Sequence, residues 1–267
     1  MNVLVVDVGG TNVKILATGQ NDPRKFPSGP TLTPQDMVDG VRKLAGDWKY
    51  EAVSIGYPGL VSKGRIAVEP RNLGPGWQTF DFEAAFNCPV KLMNDAAMQA
   101  LGSYKSGLLL FVGLGTGLGS ALVKEGIVVP MELGHLPYRK GNYEDYVGRR
   151  GLERRGKKKW GTHVAFSVGR LIEVFHPDDV VLGGGNAKKL KEVPRECRLG
   201  GNAYAFLGGF RLWQSVADSN VALPDGSVAA EQGKDSETGN NARPYVQGGH
   251  RPSGKKAGRA FSQALRR

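Results

Sequence analysis

LLLFVGLGTGLGSALVKEGIVVPMELGHLP, spanning Leu108–Pro137, is the stretch that decides the fold. Two apolar runs, Leu108–Val112 and Ser120–Val123, have the length and composition of strands. They flank a glycine-dense turn, Gly113-Leu114-Gly115-Thr116-Gly117-Leu118-Gly119. Glycines at this density leave backbone amides unshielded and permit positive φ, which is what cradling a phosphate oxygen requires. A dinucleotide fingerprint would open a helix after its last glycine. Here the chain continues as a second strand, turns at Lys124-Glu125-Gly126 and enters a third apolar run, Ile127–Val129. The pattern is that of a phosphate-binding hairpin, not of a Rossmann turn.

The N-terminus repeats the device. Val3–Val6 is a buried-strand run, Asp7-Val8-Gly9-Gly10-Thr11-Asn12 is a turn, and Val13–Ala17 is a second strand. Two strand–glycine turn–strand units, at 3–17 and 109–123, suggest two related halves that each offer a phosphate loop to one ligand. Either hairpin alone also fits an ordinary glycine-rich turn of an α/β protein. The pair, with an acid opening the first turn, favours the phosphate reading.

The 267 residues suffice for two modest domains or one large one. Hydrophobic content of 40% and charged content of 23% are those of a globular protein. No stretch reaches the roughly 18 apolar residues of a membrane span, and no signal peptide precedes the first strand. The two cysteines, Cys88 and Cys197, lack partners at metal-ligand spacing and suit a reducing cytoplasm. The net charge of +11 divides into +4 from residues 221–267, with eight Lys/Arg and four Asp/Glu, and +7 from the rest. Within Arg149–Lys159 there are seven basic residues against one acid, Glu153. Such a run either attracts a polyanion or is the solvated face of a helix.

Along the chain, Gly19–Leu32 reads as a polar connector. Thr33-Pro34-Gln35-Asp36 signals a helix start, and Met37, Val38, Val41, Leu44 and Ala45 form its buried stripe. Ala52–Gly56 is a strand, and Leu60–Val68 is a short strand pair turning at Lys63-Gly64. The loop Glu69–Trp77 is expected to expose polar groups and an aromatic face. Val90–Met93 is a strand that ends in Asn94-Asp95 and a helix bearing Ala97, Ala100, Leu101 and Tyr104. Asp95 either caps that helix or presents chemistry at the strand–helix corner, where open α/β sheets place it. A helix from Thr162 ends at Pro177, Val180–Leu182 is a strand leading into Gly183-Gly184-Gly185-Asn186, and Ala203–Trp213 forms a last helix. From about Asn220 the composition shifts to Gly, Ser, Asn, Pro and charge. The segment 218–267 is read as a disordered basic tail.

Asp7-Val-Gly-Gly-Thr11, Ser54-Ile-Gly-Tyr-Pro-Gly59, Asn94-Asp95-Ala96, Gly115-Thr-Gly-Leu-Gly119, Glu132-Leu-Gly-His135 and Leu182-Gly-Gly-Gly185 occur in this order. The set resembles the ROK family of sugar kinases, and within it the polyphosphate glucokinase branch. The resemblance covers roughly residues 3–213. It implies an α/β, actin-like ATPase (ribonuclease H-like) fold of two domains around a cleft. The small domain would span 1–105 and the large one 106–217, with the second hairpin and the sugar-binding segment.

The resemblance also implies roles. Asp95 would be the general base on the 6-hydroxyl of glucose or a similar hexose. Asn94, Glu132, His135 and Glu144 would hydrogen-bond the other hydroxyls, with Gly59 and Asn72 also at the sugar. Asp7, Gly9, Gly10, Thr11 and Lys14 would hold the donor phosphates with Mg²⁺, Asp7 reaching the metal through water. Gly115, Thr116 and Gly117 would do so from the opposite hairpin. Gly184, Gly185 and Asn186 would lie near the adenosine if the donor is ATP. The donor is ATP or polyphosphate, the latter rewarded by Arg150, Arg154 and Lys158 if four-residue spacing aligns them on one helix side. Many ROK proteins carry a cysteine-rich zinc loop after Glu-x-x-His. Leu136–Gly148 contains no cysteine, so no zinc is expected, and His135 is read as a sugar contact or structural residue. The chain opens directly on its first strand, which disfavours a helix-turn-helix repressor. A cytoplasmic homodimer without nucleic-acid or membrane partners is the family expectation. Other hexoses (mannose, N-acetylglucosamine, N-acetylmannosamine) and a non-catalytic sugar- or polyanion-binding protein are the alternatives.

Overall fold

The computed structural model describes residues 1–201 and 203–214, so the basic tail expected over 218–267 lies outside the described residues. The first half is a five-stranded sheet. Its strands are β1 (Val3–Val8), β2 (Asn12–Ala17), β3 (Arg24–Pro27), β4 (Ala52–Tyr57) and β7 (Val90–Asn94), in the order β3-β2-β1-β4-β7. A two-stranded ribbon, β5 (Val61–Ser62) and β6 (Arg65–Ile66), follows β4. β1 pairs antiparallel with β2 and parallel with β4, and β4 is parallel to β7. β1 and β4 are buried along their whole length, which explains their unbroken apolar character as interior strands.

The second half repeats this plan. β8 (Leu108–Leu114), β9 (Leu118–Lys124), β10 (Ile127–Met131), β13 (Asp179–Gly183) and β14 (Cys197–Leu199) lie in the order β10-β9-β8-β13-β14. A ribbon of β11 (Pro137–Tyr138) and β12 (Gly141–Asn142) follows β10. The antiparallel triplet β10-β9-β8 and the parallel additions β13 and β14 match the first sheet strand for strand. The two strand–turn–strand units read from sequence therefore open two copies of one sheet plan.

Helices fill the layers. α1 (Pro34–Ala45) starts where the sequence signals it: Thr33 accepts from the Asp36 amide, and the Asp36 carboxylate accepts from the Thr33 amide. Met37, Val38 and Val41 bury against the first sheet beside Trp77 and Phe82 of the short α2 (Phe82–Phe86). α3 (Asp95–Ser103) lays Ala96, Ala97 and Ala100 on Leu109, Phe111, Ala121 and Val123 of the second sheet. α4 (Tyr143–Val147) and α5 (Arg149–Phe175) cover the other face of that sheet through Trp160, Val164, Val168 and Leu171. α6 (Ala203–Arg211) returns to the first half, where Ala205 and Phe206 pack with Val3, Val5 and Met98. No helix among the described residues is long and apolar enough to cross a membrane.

Three expectations need correction. Gly19–Leu32 is not a plain connector, because Arg24–Pro27 adds β3 to the sheet edge. Its charge and terminal proline suit an edge and hide the strand from pattern reading. Trp77 presents no aromatic face: it is 1% exposed and stacks between Tyr57 and Phe82, with ring centroids 5.6 and 6.1 Å away. The Glu69 carboxylate folds that loop inward by accepting from the amides of Gly76, Trp77 and Gln78. The Arg150–Arg154–Lys158 row is interrupted, because Gly156 stands at φ 69, ψ 163 inside α5. That conformation is essentially restricted to glycine and breaks the helical period that would have aligned the three cations.

Candidate active site

The site is built at the β7–α3 corner, and the division of labour there is specific. The Asn94 carboxamide caps α3, its oxygen accepting from the Ala97 amide at 3.1 Å. Its nitrogen donates to the Gly59 carbonyl at 3.0 Å, so Asn94 also ties the corner to the loop after β4. Capping thus belongs to Asn94, and Asp95 is left with one short bond, from the Ala96 amide at 2.7 Å. Its carboxyl is pushed up to about 7, first by burial, then by the negative charge of Asp7 and to a lesser degree that of Glu132. The backbone amides of Ala96 and Asp95 oppose the rise. A carboxyl balanced near neutrality is suited to accepting a proton.

Asp95 lines a cleft of about 680 Å³ with walls from both halves of the molecule. Asn94, Gly59, Asn72 and Gly10 contribute from the first half. Glu132, His135, Glu144, Gly115, Thr116, Gly117 and Gly184 contribute from the second. Glu132 precedes and His135 ends a 3-10 turn after β10, Leu133–His135, and both are exposed in the open cleft. The Ser120 hydroxyl steadies that turn by donating to the Met131 carbonyl and accepting from the Leu133 amide. The Glu144 carboxylate stands directly over Gly117, where an added Cβ would lie 2.5 Å from its Oε2.

Asp7 is almost fully buried, and burial raises its pKa against the opposing pull of Lys14. The antiparallel register places Lys14 beside Asp7, and its ammonium lies 3.3 Å from the carboxylate. Asp7, Gly9, Thr11, Lys14, Gly185 and Asn186 are not part of the cleft lining, although Asp7 is close enough to act on Asp95. Asn186 is 5% exposed, and its side chain is spent inside the protein. It donates to the Gly115 carbonyl at 2.9 Å and accepts from Lys189 Nζ at 2.8 Å.

Sequence reasoning did not name Gln99, Arg71 or Asp145, which also line the cleft, and noted Arg150 only within the basic run. Gln99 was findable, since it lies four residues after Asp95 on one helix and so on the same face. Arg71 belongs to an irregular loop with no periodicity to read. Arg150 reaches the cleft edge, with its guanidinium 3.6 Å from the Asp145 carboxylate. Arg155 does not point along a cation row: it stacks over Tyr146 at 4.0 Å and donates to the Asp145 carbonyl.

Comparison with known proteins places this arrangement in context. Residues 3–151 match the model of the ROK family. The kanosamine kinase of Amycolatopsis mediterranei is 27% identical over 251 residues, covering 71% of this chain and 82% of that protein. The polyphosphate glucokinase of Mycobacterium tuberculosis is 26% identical over 212 residues, covering 71% and 80%. Among solved structures, the inorganic polyphosphate/ATP-glucomannokinase of Arthrobacter sp. strain KM superposes with a TM-score of 0.69 at 22% identity. That match covers 82% of this chain and 99% of the other.

Proposed function

This chain belongs to the ROK family and has its actin-like ATPase fold, and from that premise we propose a hexose kinase that phosphorylates the 6-hydroxyl of glucose from polyphosphate, ATP or both. The observation that carries the reading is Asp95, relieved of capping, poised near neutrality and facing a cleft between two glycine turns. In the proposed reaction the Asp95 carboxylate takes the hydroxyl proton as the sugar oxygen forms its bond to phosphorus. The departing phosphate oxygen keeps the electron pair of the broken bond. Phosphoryl transfer asks for aligned groups and charge compensation and for little covalent chemistry, which suits this constellation. Glu132, His135, Glu144, Asn94, Gly59 and Asn72 would fix the hydroxyls, since a polar sugar left unpaired in a site binds poorly.

Mg²⁺ fits the residues present. Magnesium is commonly held by one or two carboxylates together with substrate phosphates and retained waters, and Asp7 supplies a buried carboxylate whose ion-pair partner among the described residues is Lys14. Bound there, the ion would neutralise charge on the donor phosphates. The backbone amides of the turns at Gly9–Thr11 and Gly115–Gly117 would hold those phosphates from opposite halves. Arg150 at the cleft edge and the basic residues around it support polyphosphate as donor. A division into lobes at residues 105/106, closing on sugar to exclude water, follows from the same proposal. So does a cytoplasmic location, which accords with two free cysteines.

One observation favours a second acceptor class. Glu132, Glu144 and Asp145 put three carboxylates around the cleft, a set also matched to an ammonium-bearing sugar. The deciding experiment offers glucose and a 3-amino hexose to purified protein with Mg²⁺, and ATP and long-chain polyphosphate in parallel. Glucose 6-phosphate from either donor supports the reading, and turnover of the amino sugar alone replaces the acceptor. Sugar binding with no product from any donor overturns it in favour of a non-catalytic binder.

A further inference from the structure

The two glycine turns share a construction that no motif announces. In the first, the Gly9 amide closes the turn onto the Asn12 carbonyl at 3.0 Å. Two further carbonyls are held by the residue that follows β3: the Ser28 hydroxyl donates to Gly9 O at 2.6 Å and the Ser28 amide to Thr11 O at 3.0 Å. In the second turn, Gly115 N–H closes onto Gly117 O at 3.2 Å. The Arg149 amide donates to Gly115 O and Thr116 O at 3.0 and 3.1 Å, and Asn186 Nδ2 donates to Gly115 O at 2.9 Å.

The Gly9, Gly115 and Thr116 carbonyls are thus tied back, and the amides that share their peptide planes, Gly10, Thr116 and Gly117, have no acceptor among the described residues; the Thr11 amide next to Gly10 has none there either. A peptide plane whose oxygen is fixed on one side presents its N–H on the other. We propose that Ser28 and Asn186 are positioning residues for the phosphoryl donor, each holding a turn so that its free amides face the donor's phosphate oxygens. This rests on the kinase reading and deepens it, and it reassigns Asn186 from nucleotide contact to turn support. Neither residue touches the donor. They fix in advance the orientation of the groups that do, which spares the donor the cost of ordering the turn on binding.

The test is calorimetric titration of the full chain with magnesium tripolyphosphate, and separately with glucose, for the wild type, Ser28→Ala, Ser28→Thr and Asn186→Ala. Loss of one neutral hydrogen bond predicts about a fivefold weaker tripolyphosphate affinity in Ser28→Ala. The loss should be as large or larger in Asn186→Ala, with glucose affinity within about twofold of wild type. Ser28→Thr keeps the hydroxyl and should restore wild-type binding. Unchanged tripolyphosphate affinity in Ser28→Ala, or glucose affinity falling in step with it, overturns the proposal. If the buried Asn186→Ala variant does not fold, the Ser28→Ala and Ser28→Thr pair decides, because the Ser28 amide bond to Thr11 survives in both. A wild type that binds no tripolyphosphate overturns the phosphate reading of the turns itself, which separates that failure from failure of the positioning role alone.

Discussion

If Asp95 is the base proposed above, one proton links its chemistry to stability. In the unfolded chain its carboxyl has the ordinary value of 3.8, and in the fold it is pushed up to about 7. Between these values the native state keeps a proton that the unfolded state has released. The associated stability is complete below about pH 4 and is lost as pH rises through about 7. Asp95→Asn carries no such proton. Its melting temperature relative to wild type should therefore climb between pH 5 and pH 8 and level off above, read by thermal denaturation across that range. The same substitution should lower turnover about 10²–10⁴-fold, the contribution of a positioned base. Wild-type kcat/KM should show an acid limb near pH 7. Full activity in Asp95→Asn would remove the residue from the reaction. Gly119 sets a second residue-scale constraint, since an added Cβ would lie 2.7 Å from the Ala96 Cβ beside Asp95. Gly119→Ala should cost about 1–3 kcal/mol in urea unfolding by forcing β9 away from α3.

At the scale of elements, α3 and α6 meet through glycine. A Cβ on Gly102 would run into the Tyr204 carbonyl, and one on Gly208 into that of Met98. Those obstacles are backbone and cannot rotate away, so Gly208→Ala should destabilise by more than Gly119→Ala in the same urea measurement. Gly156→Ala tests a different term, because nothing lies within 4 Å of its added Cβ. Its cost of about 1–3 kcal/mol would be backbone strain alone.

These elements also show what a sequence discloses. α1 was legible to the residue, because its capping box is local chemistry. The two glycine hairpins and the Asn94-Asp95 corner were legible as pattern, and the capping alternative at Asp95 is removed because Asn94 takes the cap. β3 and β14 were not legible: each is short and marginal in composition, and only pairing with an existing sheet edge makes it a strand. The inward Trp77 was missed because the carboxylate that folds its loop, Glu69, is seven to nine residues distant. The break at Gly156 was hidden because a lone glycine in a charged helix is ordinarily tolerated.

For the whole molecule, the decisive fact is that α3 belongs to both halves. It starts from the last strand of the first sheet, packs its alanines on the second, and holds α6 across its remaining face. α6 is fastened in turn to the first sheet by Ser54, whose buried hydroxyl donates to Gly209 O at 2.7 Å and accepts from Trp213 Nε1 at 2.8 Å. Ser54→Ala would strand both partners, which predicts a loss of about 1–3 kcal/mol and greater solvent access at Trp213, read by fluorescence quenching.

The supports behind the two turns differ in reach: Ser28 lies 19 residues from Gly9, and Asn186 lies 71 from Gly115. Closing the longer loop costs more chain entropy and waits for more chain. During synthesis every residue that supports the first turn is present once Ser28 has been added. Asp95 and the acidic wall of the cleft follow, and the second turn waits for residue 186. On the proposed reading the acceptor side of the cleft is therefore synthesised before the support of the second donor turn.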